Sequence, residues 1–195
     1  MPIYESREGT ARIRIFLPEQ ESEICPFLPR QIHGARVHHV VDSEGPIPEA
    51  DAVWTDRTDI WIGVKTADCI PLLFWNNHGV GAVHAGWRGL VAGVIPSFLR
   101  AVENREGLRV LIGPCIGSCC YEVGDDVAHH FPSFMKGPFL DLRACAVQQL
   151  IESGIGADGI THLPWCTQCS VRKLPSYRRE GENASRIISA IVQLP

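Results

Sequence analysis

The sequence predicts a single-domain mixed α/β protein in which several of the strands are joined as hairpins. The 195-residue chain is 45% hydrophobic and 21% charged, a composition that suits one globular domain with a sizeable core. Short apolar runs rich in β-branched and aromatic residues, bounded by turn residues, dominate the first half and are typical of buried strands. Longer segments with helical periodicity follow, without the regular strand–helix alternation of a βαβ fold.

The strands are predicted from apolar or alternating runs that end at Gly, Pro or Asn. These segments are 11–17, 37–41, 52–55, 60–64, 70–75, 80–84, 108–112, 160–163 and 187–194. Asn76-Asn77-His78-Gly79 is a turn signal and predicts a hairpin between the fifth and sixth of them. A short helix is nearly as well supported as a strand at 187–194. The polar, proline-bounded segment 18–29 predicts a loop.

Helices are predicted at 90–103, 123–131 and 140–153. Pro96 is expected to kink the first of these. The third ends at Gly154, a helix-stop signal, and carries an apolar stripe. The stripe consists of Leu142, Cys145, Ala146, Gln149 and Leu150.

Composition also limits the partners and the compartment. The net charge of −4 and pI near 6.0 predict neither a nucleic acid nor a membrane surface as partner. The N-terminus lacks the apolar core of a secretory signal, and the apolar run 70–75 is far too short to cross a bilayer. We therefore expect a cytoplasmic protein whose eight cysteines are thiols or metal ligands rather than disulfides. The oligomeric state is left open.

Three residues match the ligand set of a catalytic metal site. His33, Cys69 and His84 supply two imidazoles and one thiolate, the donors of a catalytic zinc whose fourth position is open. Each falls at a predicted strand end or in a loop, where a scaffold presents functional groups. No two are close enough in sequence to form a zinc finger. The alternative is two hydrogen-bonded structural histidines and a cysteine that only packs.

The other cysteines carry weaker signals. Cys166-Thr167-Gln168-Cys169 is a single CxxC without a second pair or a thioredoxin-like setting. Cys115, Cys119 and Cys120 cluster around a Gly-Pro turn. We interpret all of them as structural or incidental. A cysteine nucleophile with His162 as its base is the alternative.

An ordered series of motifs resembles the laccase-domain family, also named multicopper polyphenol oxidase and peptidoglycan editing factor. The motifs are Gln31-Ile32-His33-Gly34, Asp51-Ala52-Val53, Thr66-Ala67-Asp68-Cys69-Ile70-Pro71, Val83-His84-Ala85-Gly86-Trp87-Arg88-Gly89, Ile112-Gly113-Pro114-Cys115-Ile116, Cys120-Tyr121-Glu122-Val123 and Ser176-Tyr177-Arg178-Arg179. The resemblance covers roughly residues 31–180. It implies that 1–195 is one laccase-domain-like domain of layered mixed sheets flanked by helices. Residues 1–30 would then be a shortened, divergent N-terminal segment.

The resemblance also implies a metal and a reaction. His33, Cys69 and His84 correspond to the family's metal ligands, with zinc as the cofactor and copper possible at the same site. The implied activity is a zinc-dependent purine nucleoside phosphorylase with adenosine deaminase activity, taking adenosine, inosine and methylthioadenosine together with inorganic phosphate. The alternatives are an amidase-type peptidoglycan editing hydrolase, a copper-dependent polyphenol oxidase and a non-catalytic member. The absence of any His-x-His pair disfavours true multicopper oxidation.

Four further residues are candidates for roles at the site. Asp68, next to a ligand, is either a catalytic proton carrier or a structural carboxylate. Arg88, near the start of a predicted helix, is expected to bind phosphate. Arg178, with Arg179 beside it, is a second phosphate candidate, and Gln31 is a candidate substrate contact. For each arginine, a surface ion pair is the alternative.

Two segments depart from the family pattern. A family-type Thr-Arg-x-Gly-Gly start survives only as a faint echo at 6–9, and 181–186 replaces the usual Gly-x-Thr-Gly-Arg. Both segments could shape the substrate pocket. The preferred nucleoside is therefore left open by the sequence.

Overall fold

The computed structural model describes residues 2–18 and 24–195, which form a mixed α/β domain. The strands are β1 Tyr4–Glu8, β2 Ala11–Phe16, β3 Val37–His39, β4 Ala52–Thr55, β5 Ile62–Thr66, β6 Ile70–Asn76, β7 Gly79–Ala85, β8 Arg109–Ile112, β9 Met135–Lys136, β10 Phe139–Leu140, β11 Ile160–His162 and β12 Ile187–Gln193. The helices are α1 Trp87–Val91, α2 Val94–Ala101, α3 Asp125–Ala128, α4 Leu142–Glu152 and α5 Tyr177–Glu180. Short 3-10 turns lie at Pro132–Phe134, Ala157–Gly159 and Gly181–Asn183.

Two larger sheets carry most of the strands. The four-stranded sheet has the order β1-β2-β12-β5 and is antiparallel throughout. The six-stranded sheet has the order β11-β8-β6-β7-β4-β3, with parallel pairs at its two edges and antiparallel pairs between them. A small β9–β10 hairpin stands apart. The predicted hairpin at 76–79 is confirmed as the β6–β7 turn.

The central strand β6 is buried on both faces, which explains its unbroken apolar sequence. Ile70, Leu72 and Phe74 face the core that α2 and α4 cover. Leu73 and Trp75 alternate to the other side and meet the four-stranded sheet. Strand geometry, in which successive side chains point to opposite faces, thus produces three layers: sheet, sheet and helices.

The predicted helix at 90–103 is two helices, and its break has a different cause from the one expected. Gly93 adopts a left-handed backbone with φ 76°, which ends α1 and starts α2. Glycine populates this region without the steric cost of a Cβ atom. Pro96 lies in the first turn of α2, where a missing N–H costs little, so it does not kink a helix.

Other elements differ from the sequence predictions in extent. The helix expected at 123–131 is the single turn α3, whereas the one expected at 140–153 is confirmed as α4. The ambiguous segment 187–194 is strand β12, which lies between β2 and β5. Strands β1, β9 and β10 and helix α5 were not predicted. Of the loop predicted at 18–29, residues 19–23 lie outside the described part of the chain.

None of the helices in residues 2–18 and 24–195 is both long and apolar enough to span a bilayer.

Candidate metal centre

His33, Cys69 and His84 come together at one end of the six-stranded sheet. Their candidate ligand atoms all lie within 4.8 Å of one another. The two imidazole rings are 4.8 Å apart between centroids and nearly perpendicular, at 80°. His84 is buried, Cys69 is partly buried and His33 is exposed. The group therefore has a protected side and a side open to solvent.

Strand pairing explains why residues distant in sequence meet here. Cys69 lies in the short connection from β5, in the four-stranded sheet, to β6, in the six-stranded sheet. His84 lies near the end of β7, directly opposite Pro71 of β6. The antiparallel β6–β7 register thus places a residue from each end of the hairpin at the same edge.

Asp51 fixes both histidine segments and is fully buried. Its carboxylate accepts a hydrogen bond from His84 Nδ1 at 2.8 Å. It also accepts backbone N–H groups of Ile32 at 3.3 Å, His33 at 2.9 Å and Gly34 at 2.7 Å. These hydrogen bonds outweigh the effect of burial and hold the pKa of Asp51 below its usual value.

The sequence reasoning gave Asp51 no role, although the residue stands in one of the quoted motifs. A carboxylate immediately before a predicted strand was the available signal. The sequence does not show that Asp51 lies next to His84, because the pairing of β4 with β7 brings the two residues together. A carboxylate that holds the far nitrogen of a ligating histidine fixes the ring's tautomer and orientation.

Hydrogen bonds and charges shift the pKa values of Cys69 and His84 in opposite directions. Burial opposes ionisation of Cys69, but hydrogen bonds from His33 and His84 outweigh it and lower its pKa to about 6. Burial likewise opposes protonation of His84, but Asp51 and Cys69 outweigh it and raise its pKa to about 9. Near neutral pH, Cys69 is therefore a thiolate, the form in which cysteine binds metals.

The shape of the site leaves room for an ion. A Cβ atom at Gly86 would lie 2.8 Å from Cys69 Sγ and 3.6 Å from His33 Cδ2. Asp51 occupies Nδ1 of His84, so Nε2 is the nitrogen left to bind a metal. Two imidazoles and a thiolate suit zinc and also copper. These residues fit a bound metal of that kind, whose identity the donor set leaves open.

Asp68 has an unusual backbone and a carboxylate with several partners. Its φ of 85° lies in the left-handed region, as does the 58° of His33; such strain in non-glycine residues concentrates at functional sites. Thr167 Oγ1 donates to the carboxylate at 2.5 Å, Ser176 Oγ at 3.1 Å and the Arg178 N–H at 2.7 Å. This arrangement favours the structural alternative for Asp68.

Thr167 and Ser176 are two further residues to which the sequence assigned no role. Both are fully buried polar side chains, and they reach Asp68 across 99 and 108 residues of chain. Ser176 also caps α5 by accepting the Arg179 N–H. Only the folded structure shows that the C-terminal region is hydrogen-bonded to the β5–β6 connection, which carries the ligand Cys69.

Two of the predicted phosphate-binding arginines, Arg88 and Arg178, each lie over an aromatic ring. The Arg88 guanidinium is 4.2 Å from the Trp87 ring centre, and that of Arg178 is 5.4 Å from the Tyr121 ring centre. Burial raises the pKa of Tyr121 to about 12, with further effects from Cys69, Arg178, Asp68 and Arg88. Tyr121 therefore keeps its proton and lies within reach of the charges of the site.

Gln31 and Arg179 make contacts within the protein. The Gln31 amide donates to the Lys65 carbonyl at 2.7 Å and accepts the Lys65 N–H at 2.8 Å, which ties the His33 segment to β5. Arg179 donates to the carbonyls of Thr167 and Leu174 at 3.1 and 2.6 Å. Both side chains hold loops around the site.

The chain is similar to a known family and to proteins with assigned names. A family model described as multi-copper polyphenol oxidoreductase laccase matches residues 11–193. A protein of Aquifex aeolicus named purine nucleoside phosphorylase is 40% identical over 174 residues, which are 85% of this chain and 82% of the relative. A protein from an unknown prokaryotic organism named adenosine deaminase RL5 is 31% identical over 192 residues, or 84% and 73% of the two chains.

Solved structures show the same fold. The Neisseria meningitidis protein NMB0706 superimposes with a TM-score of 0.85 at 25% identity, covering 98% of this chain and 99% of that one. The hypothetical protein YfiH of Bacillus licheniformis gives 0.76 at 29% identity, covering 86% and 73%. With a family match over almost its whole length, this chain belongs to the multi-copper polyphenol oxidoreductase laccase family.

Proposed function

We propose that this protein is a zinc-dependent purine nucleoside phosphorylase that also deaminates adenosine. Its substrates would be adenosine, inosine and methylthioadenosine, with inorganic phosphate as the second reactant. The observation that carries the proposal is the His33–Cys69–His84 group, oriented by a buried Asp51. Arg88 follows His84 by four residues, and the Arg178 N–H donates to Asp68, which precedes Cys69. The names of the relatives, purine nucleoside phosphorylase and adenosine deaminase, support the same pair of reactions.

His33, Cys69 and His84 would hold the zinc ion. When bound, such an ion polarises a substrate oxygen or lowers the pKa of water, the chemistry that deamination at C6 of a purine needs. Asp51 keeps the His84 ring in place through Nδ1. The exposed His33 marks the side from which a nucleoside would enter.

Arg88 and Arg178 would bind phosphate. Both arginines are exposed and both lower the pKa of Tyr121 through their charge. Guanidinium groups match the oxygens of phosphate in geometry and charge. Helix α1 has only five residues, so we assign the phosphate contact to the Arg88 side chain rather than to a helix dipole. Arg178 Nη1 also donates to the Glu122 carbonyl at 2.7 Å, which orients it.

Tyr121 would contact the nucleoside, and Asp68 would position residues of the site. The Tyr121 hydroxyl keeps its proton and so can donate a hydrogen bond from Oη to a purine nitrogen or a ribose oxygen. Asp68, whose carboxylate accepts three hydrogen bonds, would position Cys69 and the Arg178 backbone. A role of Asp68 as proton carrier predicts instead that Asp68→Asn lowers kcat and removes one limb of its pH profile, with metal content unchanged.

The arrangement of histidines favours this proposal over multicopper oxidation. Among the described residues, two groups could hold a metal, and His33–Cys69–His84 is the one that contains histidine. A multicopper centre needs many imidazoles close together. One site with two imidazoles and a thiolate suits a single ion acting as a Lewis acid.

The direct test is to follow adenosine with and without phosphate, using zinc-loaded protein. Phosphorolysis gives adenine and ribose 1-phosphate only when phosphate is present. Deamination gives inosine in either case, and phosphate then converts inosine to hypoxanthine. Chromatography separates all four bases and nucleosides. Zinc-loaded protein that leaves adenosine and inosine unchanged would refute the proposal.

Arg88→Ala tests the phosphate site. Losing a hydrogen bond to a charged group costs about 1.5–3 kcal/mol, which corresponds to a rise of about 10–160-fold in KM for phosphate. Deamination, which uses no phosphate, should keep its rate. Arg100→Ala, an exposed arginine on α2, is the matched control. An equal loss of both activities in Arg88→Ala would count against a phosphate-binding role.

A further inference from the structure

Four cysteines outside the His33–Cys69–His84 group lie close together. Their sulfurs are all within 4.8 Å of one another, and they are Cys119, Cys120, Cys166 and Cys169. Cys119 Sγ and Cys169 Sγ, fifty residues apart in sequence, are 3.6 Å apart. The loop after β8 supplies one pair and the loop after β11 supplies the other. The CxxC therefore has the second pair that its sequence context lacked.

The backbone around Cys166 is arranged to accept negative charge on its sulfur. The Gly117 N–H donates to Cys166 Sγ at 3.3 Å. Backbone hydrogen bonds from Gln168 and Cys169 reach the same sulfur. The turn is closed by Ser170 N–H, which donates to the Cys166 carbonyl at 3.0 Å. Donors around a sulfur stabilise the thiolate, the form that ligates a metal.

We propose that Cys119, Cys120, Cys166 and Cys169 bind a structural zinc ion, distinct from the metal held by His33, Cys69 and His84. Four thiolates complete the tetrahedral coordination of zinc and leave no open position. Such a site stabilises the fold and does not take part in the chemistry. Cys119 and Cys169 are exposed, which gives the ion a way in.

The ion would hold together the loops after β8 and β11, which lie beside the His33–Cys69–His84 group. The backbones of Cys115 and Cys166 pair as an isolated parallel β-bridge, and the Thr167 N–H donates to the Cys115 carbonyl at 3.1 Å. Thr167, between two of the proposed ligands, donates to Asp68. Tyr121 directly follows Cys120. Fixing the four cysteines therefore fixes Thr167 and Tyr121 relative to the site.

A disulfide is the competing use of these cysteines. Cys119 Sγ and Cys169 Sγ are 3.6 Å apart, and oxidation would join them and leave Cys120 and Cys166 as thiols. That outcome needs an oxidant. Zinc binding uses all four sulfurs and needs no change of oxidation state, so it accounts for the convergence of all four.

Metal content is the first test. Protein purified with zinc should carry two zinc ions per chain by elemental analysis. His84→Ala should carry one, Cys169→Ser one, and the double variant none. Cys25→Ser, which changes an exposed cysteine outside both groups, should keep two. One ion in the wild type together with none in His84→Ala would overturn the proposal, as would two ions in Cys169→Ser.

Two further measurements keep the test decisive if Cys169→Ser fails to fold. His84→Ala protein loaded with cobalt should show the thiolate charge-transfer and tetrahedral absorption of a four-sulfur site; absence of these bands would overturn the proposal. In zinc-loaded His84→Ala, alkylation followed by mass spectrometry should find these four cysteines protected until a chelator is added. Equal labelling with and without chelator, or a Cys119–Cys169 disulfide in place of protection, would also overturn it.

These outcomes are independent of the proposed reaction. Metal at the four cysteines is measured in a variant whose His84 ligand is absent. A protein without nucleoside activity but with zinc at the cysteines would reject the proposed function and support the structural site. Nucleoside activity without zinc at the four cysteines would support the proposed function and reject the structural site.

Discussion

At the scale of single residues, Asp51 does most to shape the metal centre. One buried carboxylate accepts hydrogen bonds from the His84 ring and from the backbone of the His33 segment. Both histidines therefore depend on the same two oxygens for their positions. Since a shift of either ring would move a donor nitrogen away from the ion, the affinity for metal should be sensitive to this residue.

Asp51→Asn should lower the affinity for zinc about 10–100-fold, as is typical when the partner of a ligating histidine is changed. The amide would keep one acceptor for His84, but its NH₂ group would face the Gly34 N–H donor. Competition with a chromophoric chelator measures the change. Asp59→Asn, at an exposed carboxylate paired with Arg57, is the control. Wild-type affinity in Asp51→Asn would show that Asp51 is dispensable.

The affinity for metal should also rise with pH. With pKa values of about 6 for Cys69 and about 9 for His84, the empty site near neutral pH holds a thiolate and an imidazolium. Binding must displace the His84 proton, so from about pH 7 to about pH 8 these two groups predict a tenfold gain in affinity. The gain should level off above the pKa of His84 and steepen below that of Cys69, where the thiol must also ionise. Calorimetry in buffers of different ionisation enthalpy counts the protons, and a flat profile would contradict the assignment.

At the scale of elements, the chain from β7 into α1 and α2 contains two glycines with separate roles. Gly86 lies beside the metal centre, and Gly93 lies between the two helices. Helix α1 begins one residue after Gly86, which leaves space beside Cys69. It ends at Val91, and the left-handed Gly93 two residues later redirects the chain into α2. The continuous helix predicted for this segment would have sent α2 along another path, away from its packing against β7.

Replacing Gly93 tests the break. Gly93→Ala should lower the free energy of unfolding by about 1–2 kcal/mol, because an L side chain is strained at positive φ. Gly93→Asn should cost less, since asparagine visits this region more readily. Denaturant unfolding measures both. A cost for alanine no greater than for asparagine would mean that the backbone relaxes to another conformation.

At the scale of the whole molecule, the six-stranded sheet is covered on both faces. The four-stranded sheet packs on one side and α2 and α4 on the other. Phe74 of β6 is fully buried in the helix-side core, with its ring centre 4.5 Å from that of Phe98 on α2. The site lies at an edge shared by these layers, so its geometry depends on their packing.

Phe74→Ala should therefore destabilise the entire domain by about 3–5 kcal/mol, the usual cost of removing a buried aromatic ring. The layers should still unfold in one transition, with the same midpoint by fluorescence and by circular dichroism. Val171→Ala, at a side chain that is 98% exposed, should change the stability by about 0.5 kcal/mol or less. Two separate transitions would show that the layers fold independently.

Much of the fold was predictable because its signals are local. The apolar runs that form β6 and β7, the Asn76–Gly79 turn between them and the periodicity of α4 each depend on neighbouring residues. The strand β1 and the β9–β10 hairpin were missed because their sequences have no apolar run of their own. Their pairing partners stabilise them as strands.

The ligand residues His33, Cys69 and His84 could be named from the sequence, because their motifs are contiguous blocks of the chain. What orients them could not, since Asp51, Thr167 and Ser176 act through hydrogen bonds across 17 to 108 residues. The same holds for the four cysteines, which the sequence showed as two unrelated local clusters. Local patterns determined which side chains are present, and the packing of the two sheets and their loops decided which of them meet.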